Sequence, residues 1–110
     1  LWGDGSPLRE FLHVDDLANA VFFSLQNQLE NHLYNIGSND EISILELSQL
    51  VAKIIGYKGK VNWDSSFPNG TPRKKLDSTR FNKIGWKPCV SLEKGIIDTY
   101  NEYKLSLGEI

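Results

Sequence analysis

Within "LREFLHVDDLANAVFFSLQ", residues 8 to 26, the hydrophobic period changes halfway along, and that change decides the fold. Leu8, Glu10 and Leu12 alternate with Arg9, Phe11 and His13. Neither face is cleanly polar, so the spacing predicts a short, largely buried strand. Asp15 and Asp16 then mark a helix start, where carboxylates accept bonds from free amides and sit favourably in the helix dipole. The helix should run to about Gln26, with Leu17, Val21 and Leu25 on one stripe and Ala18 and Phe22 beside it.

The same alternation of element types continues outward. "HLYNIGS" reads as a second strand ending at Gly37. Ser43 and Glu46 then form a capping box, and Leu47, Leu50, Val51, Ile54 and Ile55 recur at helical spacing until Gly56 stops the helix. "GKVNWD" suggests a further short strand, whereas Ser65 to Lys75 has no amphipathic period and reads as a loop confined by Pro68, Gly70 and Pro72. "DSTRFNKIG" predicts a short helix starting near Asp77 or Ser78 and ending at Gly85. The last helix has Ser91 as N-cap and Leu92, Ile96, Tyr100, Tyr103 and Leu107 on its apolar stripe. About four helices with short strands make a mixed α/β (α+β) unit, and 110 residues suffice for one domain spanning 1–110.

Composition narrows the class. Hydrophobic residues are 40% and charged residues 24% of the chain, ordinary values for a globular domain. The most apolar stretch, Leu17 to Leu25, is far shorter than the roughly 20 residues a membrane span requires. A non-secreted, cytoplasmic protein without membrane contact is therefore expected, and the single cysteine, Cys89, fits a reducing compartment. Cys89 reads as a small, half-buried residue before a helix, and metal-ligand spacing is absent. Eight of the twelve Lys and Arg residues fall between Lys58 and Lys87 with only two aspartates, so that span carries +6 and the rest −8. Such segregation points to an anionic ligand. A sequence pI of about 5.6 and the lack of a basic recognition helix or aromatic-basic sheet argue against nucleic acid.

Arg73, Lys74 and Lys75 follow a proline on a restrained backbone, and a guanidinium binds phosphate through two parallel hydrogen bonds. Arg9 is a second candidate clamp, and Trp2 offers a flat face for a sugar or base; Trp63 and Trp86 read as core filling. "GDGSP" runs into a strand-like segment and lacks a third glycine, so it is no dinucleotide-binding turn. His13 reads as a packing or hydrogen-bonding residue, and His32 as a surface residue before a strand. No catalytic constellation of His, Cys and acid is found at motif spacing.

Three runs in order, "WGDGSPLREFLHVDDLANA", "LYNIGSNDEISILELSQLVAKIIGYKGKV" and "FPNGTPRKKLDSTRFNKIGWKP", resemble the GDP-L-fucose synthases, a branch of the extended short-chain dehydrogenases/reductases. "REFLHVDD" and "YNIG" are shared widely among the nucleotide-sugar epimerases and dehydratases; "GTPRKKLD" is more particular to the branch. The resemblance implies the C-terminal, substrate-binding portion of a Rossmann-fold reductase, with the Rossmann part largely missing. Whole members convert GDP-4-keto-6-deoxy-D-mannose to GDP-L-fucose with NADPH, which the N-terminal part binds, and are generally homodimers. Their catalytic residues also lie N-terminal to this segment, so neither Cys89 nor His13 takes a catalytic role and the segment is expected to be inactive alone. Trp2 and Arg9 match residues that contact the GDP-sugar. Asn69 stands where the family commonly has an aspartate and is kept as a binding residue, while Arg73 and Lys74 are assigned by electrostatics. Apolar faces of the first helix are expected to meet the missing domain. A segment of another nucleotide-sugar epimerase or dehydratase, and a free-standing nucleotide-sugar-binding module, remain alternatives.

Overall fold

A computed structural model describes residues 1–30 and 33–108. Three strands and four helices follow in the order β1 (Leu8–Glu10), α1 (Val14–Gln26), β2 (Glu41–Ser43), α2 (Ile44–Ile55), β3 (Arg73–Lys74), α3 (Thr79–Lys83) and α4 (Leu92–Ser106). The strands form one sheet of order β2-β1-β3. β1 and β2 are antiparallel, with Leu8 opposite Ser43, Arg9 opposite Ile42 and Glu10 opposite Glu41. β3 is parallel to β1, with Leu8 opposite Arg73 and Arg9 opposite Lys74.

The helix signals hold. Ser43 Oγ accepts from Glu46 N at 3.1 Å, Glu46 Oε2 accepts from Ser43 N at 3.0 Å, and Gly56 ends α2 in the left-handed region at φ 72°. Ser91 caps α4 through Lys94 N. At α1 the cap is His13, whose Nδ1 accepts from Asp15 N at 3.2 Å. Gly95 of α4 lies against the His13 ring, where a Cβ would stand 2.9 Å from Cδ2. His13 is thus a packing and capping residue.

Asp16 performs a different task from a first-turn carboxylate facing solvent. It is buried, and its two oxygens accept from Cys89 N at 2.8 Å and Val90 N at 2.9 Å. The bond pair ties α1 to the segment that leads into α4. Ala20, Phe81 and Trp86 form the core, with Leu12, Phe23, Tyr34, Ile36 and Ile84 packed around it. The Phe81 ring meets Phe23 and Tyr34 edge-on at centroid distances of 5.6 and 5.7 Å, and Trp86 donates its indole N–H to Asn19 Oδ1 at 3.2 Å.

Several expectations are corrected. The α1 stripe of Leu17, Val21 and Leu25, with Phe22 beside it, is not among these: it is exposed, Leu25 at 82%, as expected of an apolar face that meets a further domain, and the core takes the face that carries Asp16 and Ala20. Residues 33–38 belong to no strand; His32 lies outside the described residues. "GKVNWD" contributes only a bridge between Trp2 and Asp64. Within the 65–75 loop, Arg73 and Lys74 pair with β1, a ladder too short to show a period in sequence. The strand predicted through Val14 pairs only over Leu8–Glu10 and is half-buried. Trp86 is core as expected, Trp63 is half-buried, and Leu107 and Cys89 are exposed. No described helix is long and apolar enough to cross a membrane.

Candidate functional site

The amino-terminal turn and the 65–75 loop are sewn together. Gly3 and Gly5 adopt φ of 74° and 79°, a region closed to most side chains. Gly3 N donates to Asp64 O at 2.9 Å, and Asp64 N donates to Leu1 O at 2.8 Å. Asp4 N donates to Asn69 Oδ1 at 2.8 Å, while Asp4 Oδ1 accepts from Ser6 N at 2.8 Å. Hydrogen bonds from Ser6, then from Asn69, hold the Asp4 carboxyl below its ordinary value. A Cβ on Gly3 would collide with Asn69 Oδ1, so this approach requires glycine.

Two of the residues singled out in sequence line the resulting edge at its outer end. Trp2 is 71% exposed and stacks on Phe67, with centroids 4.5 Å apart and planes 6° from parallel. The composite aromatic face stands at the mouth of the loop, ahead of Asn69. Arg9 comes next. Its Nη1 donates to Leu8 O at 2.7 Å, and its Nη2 lies 3.8 Å from where a Gly70 side chain would begin.

Strand geometry then divides the basic run. Register partners share a face, and successive residues alternate. Arg9, Ile42 and Lys74 therefore lie on one face of the sheet, and Leu8, Glu41, Ser43 and Arg73 on the other. On that second face Arg73 makes a two-pronged pair with Glu41, Nε to Oε1 at 2.7 Å and Nη2 to Oε2 at 2.5 Å, and Lys75 Nζ is 3.9 Å from the same carboxylate. Hydrogen bonding from Arg73, reinforced by its charge and that of Lys75, keeps the Glu41 carboxyl below its usual range. Among the described residues no carboxylate pairs with Lys74 or Arg9 within 4.0 Å.

Arg9 and Lys74 thus share one face of the sheet, Trp2 and Asn69 belong to the turn and loop that are joined through Asp4 and Asp64, and Arg73 lies on the opposite face, engaged with Glu41. Asn69 spends its oxygen on the Asp4 amide and helps shape the loop. Phe67 and Glu41 went unnoticed in sequence. An aromatic in a polar loop was the available signal for Phe67; a lone acid on a three-residue strand gave none for Glu41. An apolar groove of about 470 Å³ between α2 and α4, lined among others by Leu47, Val51, Ile96 and Tyr100, has no Lys or Arg on its walls. A polar groove of about 510 Å³ carries Arg73 and Lys75, whose charges Glu41 offsets. Uncompensated positive charge is left where Arg9 and Lys74 meet. The Gly3–Gly5 turn leads into β1 and not into a helix N-terminus.

Known proteins share this arrangement of elements. Residues 1–37 match the profile of the NAD dependent epimerase/dehydratase family. The chain is 52% identical, over 94% of its length, to probable GDP-L-fucose synthase 1 of Oryza sativa subsp. japonica, of which it spans 31%. It is 50% identical, over 94% of its length, to GDP-L-fucose synthase 1 of Arabidopsis thaliana, of which it spans 32%. Its structure is similar to that of a GDP-mannoheptose C4 reductase from Campylobacter jejuni with NADP bound: TM-score 0.83 and 32% identity, covering 94% of this chain and 34% of that one. The chain therefore spans about a third of the length of the relatives it matches.

Proposed function

Because the chain belongs to the NAD dependent epimerase/dehydratase family, we propose that it is the C-terminal, GDP-sugar-binding part of a GDP-L-fucose synthase. The whole enzyme takes GDP-4-keto-6-deoxy-D-mannose, inverts the two carbons flanking the ketone and reduces the ketone. A ketone acidifies its neighbouring C–H bonds, so a base removes a proton and an acid returns one to the opposite face. NADPH, when bound by the remainder of the enzyme, supplies the hydride. The residues of this segment bind and orient; the chemistry belongs to the two-thirds of the synthases it does not span, and the segment alone is inactive. The parent enzyme is read as a cytoplasmic homodimer.

The observation that carries this reading is the exposed Trp2 ring together with Arg9 and Lys74 on one face of the sheet. An exposed aromatic face covers a base or sugar ring, and two cations on one sheet face, Arg9 and Lys74, meet a diphosphate with charge-assisted hydrogen bonds. Arg73 supports the site from the opposite face, and Asn69 holds the loop to the turn, its oxygen on the Asp4 amide and its side-chain N–H toward the Asp4 carboxylate.

Titration of the full-length protein with GDP-, UDP- and dTDP-sugars tests the reading. The GDP-sugar is expected to bind most tightly, and Arg9→Ala to weaken it about tenfold or more, as loss of a hydrogen bond to a charged group does, with little change in melting. Equal or absent responses to the three sugars would refute the GDP assignment. An Arg9→Ala protein that melts early yet binds normally would make Arg9 structural.

A further inference from the structure

Arg73, Lys74 and Lys75 are consecutive, and unconstrained side chains of this kind would all reach for one anion. β3 prevents it only as long as it stays a strand in a fixed rotation, and it is two residues long. Its backbone anchorage is slight: its pairing with β1 and a bond from Leu8 N to Pro72 O at 2.9 Å. A strand this short is marginal by itself, so a side-chain tie matters to its orientation.

Glu41 supplies that tie from the far edge of the sheet. β1 lies between β2 and β3, so the Glu41 carboxylate, whose register partner on β1 is Glu10, reaches diagonally across the face that carries Glu10 and Leu8 to grip Arg73 at both nitrogens. The Glu41 side chain is only 14% exposed, whereas that of Arg73 is 64% exposed. The carboxylate is therefore the fixed member and the arginine is drawn to it. Lys75, two residues on and so on the same face, points at the same oxygen that Arg73 Nη2 meets.

We propose that Glu41 is a positioning residue for the anion site: by holding Arg73 and Lys75 on one face of the sheet, it keeps Lys74 turned to the other, beside Arg9, toward the diphosphate of the nucleotide sugar. The inference rests on the nucleotide-sugar reading above and adds a residue that never touches the ligand. Glu41 neutralises the two cations it gathers and so confines the attractive charge to one side. Without it Arg73 is a free, exposed cation on a strand able to roll, and Lys74 loses its set direction.

The test uses the full-length protein, with GDP and guanosine as a pair of ligands that differ by the diphosphate. Glu41→Gln, which keeps the shape and removes the charge, is expected to weaken GDP about tenfold, the size of one charge-assisted hydrogen bond, and to leave guanosine unchanged. Glu41→Asp, which keeps the charge on a shorter arm, is expected to recover part of the loss. In a Lys74→Ala background Glu41→Gln is expected to have no further effect, since both act on the same contact. GDP affinity unchanged in Glu41→Gln overturns the proposal. So does an equal loss for GDP and guanosine, which would mark a general structural role, and so does a loss that multiplies with that of Lys74→Ala. A wild-type protein that binds GDP no better than guanosine overturns the diphosphate site itself, before Glu41 is altered.

Discussion

Asp16 offers a sharp test of which carboxylates serve structure and which serve ligand. Its side chain is 3% exposed, and its two oxygens accept from Cys89 N at 2.8 Å and Val90 N at 2.9 Å. Val90 immediately precedes Ser91, the N-cap of α4, so this pair sets where α4 starts relative to α1. A hydrogen bond to a charged group contributes about 1.5–3 kcal/mol, and Asp16→Ala leaves two amides without a partner, so a loss of about 3–5 kcal/mol is expected. At roughly 2–4 °C per kcal/mol, that lowers the melting temperature by about 10 °C. Asp16→Asn keeps one acceptor but turns an amino group toward the other amide, so it should fall between wild type and Ala. Thermal unfolding of the full-length protein gives the first readout, and hydrogen exchange at Cys89 and Val90 the second. Exchange at those amides should accelerate by roughly a hundredfold, the equivalent of about 3 kcal/mol. An Asp16→Asn protein with unchanged melting and exchange but abolished turnover would refute the argument and give Asp16 a role in the chemistry instead.

Two further outcomes follow from the geometry. Gly3→Ala forces a side chain into a left-handed backbone at φ 74° and into Asn69, and is expected to cost about 1–3 kcal/mol of stability and to weaken GDP-sugar binding by displacing the loop; a variant that binds and melts like wild type would show the loop to be independent of the turn. Asp4, Glu41, Glu46, Asp64 and Asp77 all have carboxyls held below their ordinary values, each led by a hydrogen bond from Ser6, Arg73, Ser43, Ser66 and Thr79 respectively. A depressed folded value means their stabilisation is complete above the unfolded value and is lost as pH falls through the folded one. Melting temperature should therefore hold level down to the unfolded values, 3.8 for Asp and 4.5 for Glu, and decline below them, less steeply in Glu41→Gln; an identical acid limb in that variant would remove Glu41 from the account.

What could be read in sequence was what short-range chemistry encodes. α2 carries its start in Ser43 and Glu46 and its stop in Gly56, all within one local run, and the structure reproduces each. α4 likewise announces itself through Ser91. Of the sheet, β1 was legible in the alternation after Leu8, whereas β2 and β3 were not, because strands of two or three residues are shorter than the period-2 pattern needs and owe their existence to neighbours distant in the chain. In α1 the span and the apolar stripe of Leu17, Val21 and Leu25 were legible, and the stripe is exposed as a face expected to meet a further domain is; the side the core takes, through Asp16 and Ala20, was not legible. A buried carboxylate satisfied by two amides from the far end of the chain cannot be seen in a local window.

The site divides the same way. Residue type alone nominated Trp2 and Arg9, and the structure leaves one exposed and the other without a carboxylate partner among the described residues. Charge counting nominated Arg73 and Lys74 alike, and there the sequence has no means to choose, because the selecting partner, Glu41, lies 32 residues from Arg73. A segment of +6 suggests by itself a broad surface for a polyanion. Alternation along β3 and one carboxylate across the sheet divide its central run, leaving Lys74 on the face it shares with Arg9 and drawing Arg73 and Lys75 to Glu41. In the function proposed above, two cations with an aromatic plate nearby suit a diphosphate joined to a ring. The specificity of this site therefore owes as much to the cations Glu41 withdraws as to those left in place, and a variant that frees Arg73 changes the shape of the field before it changes the net charge.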